Sequence, residues 1–289
     1  RDLLERRVNG RDPVAALGQS CHALLTQRGD ASGLALAGQI MAGYEELAVE
    51  DQVRFVELLA GEFSLRAEAV LEAAQTYCEN RDLATLTELR HSLEAPLHTL
   101  LRRLNMVPGG TGMIIRLRER LLPLLGEGTD LRFLENDMRE LLAGWFNGGF
   151  LTLRRIDWSS PATVLERIIR YEAVHEISGW DDLRNRLRED RRCFAFFHFA
   201  MPDDPLIFVQ VALTEGLADA IDPLLTVERE IVDAHTADTA MFYSISNCHK
   251  GLQGISFGHL LIKQVVEELR RELENVKCFA TLSPIPGFR

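Results

Sequence analysis

The chain has 289 residues, enough for one large or two ordinary domains, and its 46% hydrophobic and 26% charged residues are the balance of a globular protein. Its formal charge of -11 sets most of the surface against a nucleic-acid backbone, and no apolar run approaches the roughly 18–20 residues that cross a bilayer. Nucleic acid and membrane are therefore not expected as partners, whereas a small anionic ligand stays open, because backbone N–H groups bind phosphate locally whatever the net charge.

From residue 1 to about Gly148 the pattern is helix after helix. Val53–Phe63, Arg66–Tyr77 and Leu83–Leu104 repeat apolar residues at three- and four-residue intervals, with Pro96 as a break or a helix start. Val107–Gly112 is a loop, Met113–Leu125 resumes the helical period, and Asp130–Phe146 is one more amphipathic helix, for which Asn147-Gly148-Gly149 predicts a left-handed stop. No strand pattern of any strength occurs in this half.

After Gly149 the period changes. Phe150–Ile156 alternates as a half-buried strand does, Ser160-Pro161 reads as an N-cap with proline at the first helical position, and the helix should run through Tyr171. Asp181–Asp190 predicts a charged helix. Cys193–Phe199 and Leu206–Leu213 flank a turn-rich Met201–Pro205 and predict a hairpin. Thr239–Ser246 is a strand, a glycine-rich loop follows, Phe257–Leu273 is an amphipathic helix, and Val276–Leu282 is a last strand. The expected architecture is α + α/β, an all-helical region over 1–148 followed by a mixed sheet domain over 149–289.

The five cysteines (Cys21, Cys78, Cys193, Cys248 and Cys278) form no C-x-x-C pair and no zinc spacing, and their odd number favours a reducing, intracellular compartment. Cys248, in a polar loop, is the one weighed as reactive against a loop cysteine of no special role. His175, His198, His235, His249 and His259 show no metal-ligand spacing, so no metal site is expected.

Strand, glycine turn and helix together present free N–H groups to phosphate. Here that segment is Lys250-Gly251-Leu252-Gln253-Gly254-Ile255-Ser256-Phe257-Gly258, and all three lysines of the chain (Lys250, Lys263 and Lys277) lie in or near it. It is neither a Walker A loop nor G-x-G-x-x-G, and its glycines alone fit a capped tight turn equally well. The order of elements around it resembles the GNAT superfamily, whose coenzyme A pyrophosphate loop reads [Q/R]-x-x-G-x-[G/A]. The nearest register here is Gln253–Gly258, with Ser256 where the first glycine is usual.

Longer segments resemble one family. Arg170-Tyr-Glu-Ala-Val-His175, Phe242-Tyr-Ser-Ile-Ser246, Gly251-Leu-Gln-Gly254 and Leu282-Ser-Pro-Ile-Pro-Gly-Phe288 are similar to signature segments of the malonyl-CoA decarboxylases. So are Leu101–Met106 with Pro108–Thr111, and Trp145–Asn147 in the helical half. The resemblance implies a helical domain used in subunit association and a GNAT-type catalytic domain that decarboxylates malonyl-CoA to acetyl-CoA, without metal or organic cofactor; the cysteine usage and the Arg-rich composition give the cytoplasm of a bacterium as the expected compartment. It implies a homo-oligomer, coenzyme A on the 250–258 loop, and a hydroxyl acting with a histidine to protonate the enolate. The hydroxyl falls on Thr281, with Ser283 the runner-up, and the histidine is expected beyond Arg289. On the same reading the GNAT sheet wants further strands, so the chain is expected to lack the C-terminal part of its catalytic domain and to be inactive alone. Ser244 and Ser246, at the end of the strand entering the loop, are candidates for hydrogen bonds to the thioester or pantetheine. An N-acetyltransferase of the same fold, or a non-catalytic acyl-CoA sensor or scaffold, are the alternatives.

Overall fold

The computed structural model describes residues 12–126, 129–255 and 258–283. The chain divides into two compact units, with the division between Leu142 and Ala143. The helical period runs a few residues past that division, but Phe146 is buried against His198 at 4.8 Å between ring centroids, so the end of the last helix belongs with the second unit.

The first unit is helical throughout its described residues: α1 Pro13–Thr26, α2 Asp30–Glu45, α3 Val49–Glu62, α4 Ala67–Asn80, α5 Leu83–Ser92, α6 Pro96–Asn105, α7 Gly110–Leu121 and α8 Thr129–Trp145. Pro96 is a start and not a break: it occupies the first turn of α6, where its missing N–H costs nothing. Leu97, Leu100, Leu101 and Leu104 recur at helical spacing and are almost wholly buried, each worth roughly 1.5–3 kcal/mol of transfer free energy. Arg118 is buried too and bonds the carboxylate of Glu135 at 2.8 Å. Helices α4 and α5 contrast with this. Only Ala73 of α4 and no residue of α5 is buried, and Leu71 and Leu83 are 61% and 80% exposed.

The second unit holds a five-stranded sheet in the order β1-β2-β3-β4-β5, with β1 Leu151–Ile156, β2 Arg191–His198, β3 Ile207–Thr214, β4 Thr239–Asn247 and β5 Cys278–Thr281. Neighbours are antiparallel except β4 and β5, which run parallel because the helix between them carries the chain back. The helices are α9 Ala162–Tyr171, α10 Trp180–Arg186, the short α11 Asp222–Leu225 and α12 Gly258–Glu272. Strands β2 and β3 are buried on both faces and mostly apolar, with Cys193–Phe197 an apolar run in β2 and Gln210 interrupting the one in β3. On one face Cys193, Ala195, Phe197 and Phe208 pack with Val164, Leu165 and Ile168 of α9.

Two expected caps differ. Asn147-Gly148-Gly149 makes no left-handed stop; Asn147 instead accepts from the Gly149 N–H and opens a short 3-10 turn into β1. Ser160 does not cap α9, because its hydroxyl turns back to accept from the Asp157 N–H, and Pro161 precedes the first helical residue.

Pairing of β3 with β4 shifts between Gln210 and Val211. Ser244 faces Gln210 and Phe242 faces Val211, so Tyr243 is an extra residue, a β-bulge. The bulge places the Tyr243 and Ser244 side chains on the same face of the sheet, toward Gln210.

Candidate functional site

Strand β5 stops in register with Phe242, and the Leu282 N–H closes the ladder on the Phe242 carbonyl at 2.8 Å. Strand β4 runs on to Asn247, so among the described residues its last stretch, Tyr243–Asn247, is paired only to β3. Among the described residues the β4–β5 ladder therefore ends at Phe242. A crevice at the carboxyl ends of parallel strands, between diverging neighbours, is where open α/β sheets bind ligands.

Thr281, the last residue of β5, is exposed and sits at this ladder end, with exposed Ser283 two residues on. Through its register with Phe242, Thr281 lies on the face opposite Tyr243 and Ser244, whereas Ala280 and Leu282 pack with Tyr243 and Met241. The structure thus brings Thr281 to the same crevice as Ser244 and Ser246 but on the other face of the sheet.

The glycine loop starts where β4 ends. Lys250–Leu252 is a single 3-10 turn, with Lys250 and Gln253 exposed and Gly251, Leu252 and Ile255 buried. Its own turns use several of its donors: the Leu252, Gln253 and Ile255 N–H groups bond the His249, Lys250 and Leu252 carbonyls at 3.0, 3.0 and 3.1 Å. The loop is therefore not a uniform row of free donors, and helix α12 begins at Gly258. Gly254 has φ +78, a left-handed conformation that favours glycine, with open space where a Cβ would stand. Ser256 and Phe257 lie outside the described residues. Beside the base of the loop, Asp204 in the β2–β3 turn lies 3.6 Å from His249 Nε2, 3.5 Å from Arg167 Nε and 3.4 Å from the Tyr171 hydroxyl.

Ser244 and Ser246 are 2% and 1% exposed, and both hydroxyls are engaged within the protein. Ser244 Oγ lies 2.8 Å from each carboxylate oxygen of Glu172, and Ser246 Oγ donates to Oε1 at 3.0 Å. The Val174 and His175 N–H groups donate to the same Oε1 at 2.9 and 3.1 Å, and Gln210 Nε2 donates to Oε2. Gln210 in turn accepts from the Tyr243 hydroxyl at 2.8 Å. Both serine hydroxyls thus converge on the Glu172 carboxylate. Glu172, Gln210 and Tyr243 were not among the expected site residues. Their signal was present as polar residues in buried strands: Gln210 in an apolar run, and two serines at alternate positions, need polar partners.

The remaining candidates are structural. Burial lowers the pKa of His198, partly opposed by the Trp145 backbone, and its ring packs between Phe146 and Phe199 while Nδ1 accepts from the Ala200 N–H at 3.2 Å. Cys248 is buried, and desolvation pushes its thiol well above the ordinary range, as it does for Cys193, so neither offers a thiolate near neutral pH. His175 is half-buried, its ring 6.4 Å from that of Tyr243.

Residues 149–289 match the family model of the malonyl-CoA decarboxylase C-terminal domain, and residues 63–146 that of the malonyl-CoA decarboxylase N-terminal domain. Among solved structures, malonyl-CoA decarboxylase from Rhodopseudomonas palustris is 48% identical with a TM-score of 0.90, over 95% of this chain and 67% of that one. The enzyme from Agrobacterium vitis is 48% identical with a TM-score of 0.88, over 94% and 67%. The mitochondrial malonyl-CoA decarboxylases of Anser anser anser and Mus musculus are each 36% identical, over 82% of this chain. The chain spans about half the length of these curated relatives, 47% and 48%.

Proposed function

This chain belongs to the malonyl-CoA decarboxylase family, and we propose that the protein converts malonyl-CoA to acetyl-CoA and carbon dioxide in the crevice where β4 outruns β5. The end of β4 supports the reading: a strand edge that among the described residues has no partner on the β5 side, followed at once by a glycine turn and a helix start. The edge Tyr243–Asn247 offers backbone groups to the amides of the pantetheine arm, as an added strand would meet them. The start of α12 and the exposed Lys250 supply N–H groups and a positive charge for the pyrophosphate.

The substrate's thioester carbonyl lies β to the departing carboxylate and takes up its electron pair as an enolate. The chemistry therefore calls for no metal or organic cofactor, only for oxyanion stabilisation and delivery of a proton to carbon. Thr281, exposed at the end of the β4–β5 ladder, is the hydroxyl we assign to that proton step, together with a histidine C-terminal to Arg289. We place the enzyme in the cytoplasm, a compartment that suits its five free cysteines. We assign the exposed α4–α5 hairpin to association with a second copy of the chain, because its leucines are otherwise left in water.

Thr281→Val in the intact protein tests the site. Its turnover of malonyl-CoA should fall by about 100-fold or more, in the range of a lost general acid–base group, while acetyl-CoA binding stays within about threefold of wild type. Ser283→Ala should keep most activity. Parallel loss of turnover and binding would remove the catalytic role of Thr281, and collapse of turnover in Ser283→Ala alone would move that role two residues along.

A further inference from the structure

We propose that Glu172 is a positioning residue of the acyl site, fixing the open end of β4 through Ser244 and Ser246. The functional weight of this role rests on reading the crevice as the acyl-CoA site. Glu172 follows the last residue of α9 and is 8% exposed, yet among the described residues it has no ion pair with Lys, Arg or His. A buried carboxylate without a cation is costly, and an apolar side chain of similar volume usually serves stability as well or better. Here every partner is a neutral donor, and all but the two backbone N–H groups of its own turn come from one place. Ser244 and Ser246 lie on the stretch of β4 that, among the described residues, is paired only to β3, and Gln210 faces Ser244 on β3.

The placement has a consequence for β4. Up to Phe242 the strand is held by ladders on both sides; from Tyr243 onward, among the described residues, only the β3 ladder continues. The same stretch contains the bulge, which locally breaks the β3 ladder as well. Glu172 compensates at that point, tying down Ser244 and Ser246 directly and Tyr243 through Gln210. The backbone edge that a thioester and its neighbouring amide would meet is thereby kept in one conformation before the ligand arrives. Preorganisation of this kind lowers the cost of reaching the reactive geometry and leaves the bulk of the binding surface untouched.

Hydrogen exchange and steady-state kinetics on the intact protein test the proposal. Glu172→Gln keeps the size of the side chain, and Ser244→Ala removes one hydroxyl in case the first variant folds poorly. In both, amides of residues 242–247 should exchange roughly tenfold faster or more, while those of β2 stay at wild-type rates. In Glu172→Gln the kcat for malonyl-CoA should drop on the order of 30- to 100-fold, with KM within about threefold, since a misplacement near 1 Å costs up to that much. Unchanged exchange at 242–247, or the same acceleration throughout the second unit, would overturn the proposal. So would wild-type kcat in a folded Glu172→Gln beside an active wild-type enzyme. Absence of decarboxylation in the wild type would count against the assigned reaction instead, and the exchange data would still decide the positioning role.

Discussion

A Cβ built on Gly110 would stand 2.0 Å from the Leu104 carbonyl oxygen, so the start of α7 is pressed against backbone that has no rotamer to yield. Gly110→Ala should cost at least about 2 kcal/mol in urea unfolding, whereas Gly61→Ala, in α3 with nothing within 4 Å of its Cβ, should stabilise by about 0.5–1 kcal/mol. His198 ties stability to pH. Burial holds its pKa below the ordinary 6.5, so above that pH the ring is neutral in both states. As pH falls below about 6.5 the unfolded chain takes up a proton that the folded state resists, and stability declines. His198→Phe should flatten the decline between about pH 6.5 and 5 relative to wild type; equal slopes would show that other groups carry it. At this scale the sequence was only partly legible. Thr281, Lys250 and the glycines could be singled out by motif and resemblance, but the role of Glu172 depends on Ser244, Ser246 and Gln210 converging on it from distant parts of the chain. Only a mismatch hinted at it, polar residues in strands that should be buried.

Tyr243→Phe leaves Gln210 Oε1 buried without its donor and should destabilise by about 1–3 kcal/mol in chemical denaturation. Gly254→Ala forces a side chain into φ +78 with no clash to add, so its stability cost should be about 1–2 kcal/mol. Its acetyl-CoA affinity, read by calorimetry, should weaken several-fold if the turn sets the approach of the pyrophosphate; unchanged affinity would detach Gly254 from the ligand. Strand and helix order along the second unit could be read from the sequence, since periods of two and of 3.6 separate cleanly there. The bulge could not, because it is defined by which residue of β3 faces which residue of β4. The expected left-handed stop at 147–149 and the Ser160 cap differ for local reasons: Asn147 accepts from the Gly149 N–H and opens a 3-10 turn, and the Ser160 hydroxyl accepts from the Asp157 N–H.

For the molecule as a whole, the change of period near residue 148 reflects two units with separate cores, and packing shifts the division to Leu142/Ala143. The α4–α5 hairpin is amphipathic in sequence but left largely bare in the fold, so replacing Leu71 and Leu83 together by Asp should lower the mass measured by light scattering without loss of helix content. Unchanged mass would place any association elsewhere. Family membership, the end of the β4–β5 ladder and the glycine turn beside it support the proposed reaction. The most direct measurement is the stoichiometry of malonyl-CoA consumption by the intact protein, following carbon dioxide and acetyl-CoA together. The account predicts one of each per malonyl-CoA consumed, abolished in Thr281→Val; acyl transfer to an added amine without carbon dioxide release, or binding without turnover, would contradict it.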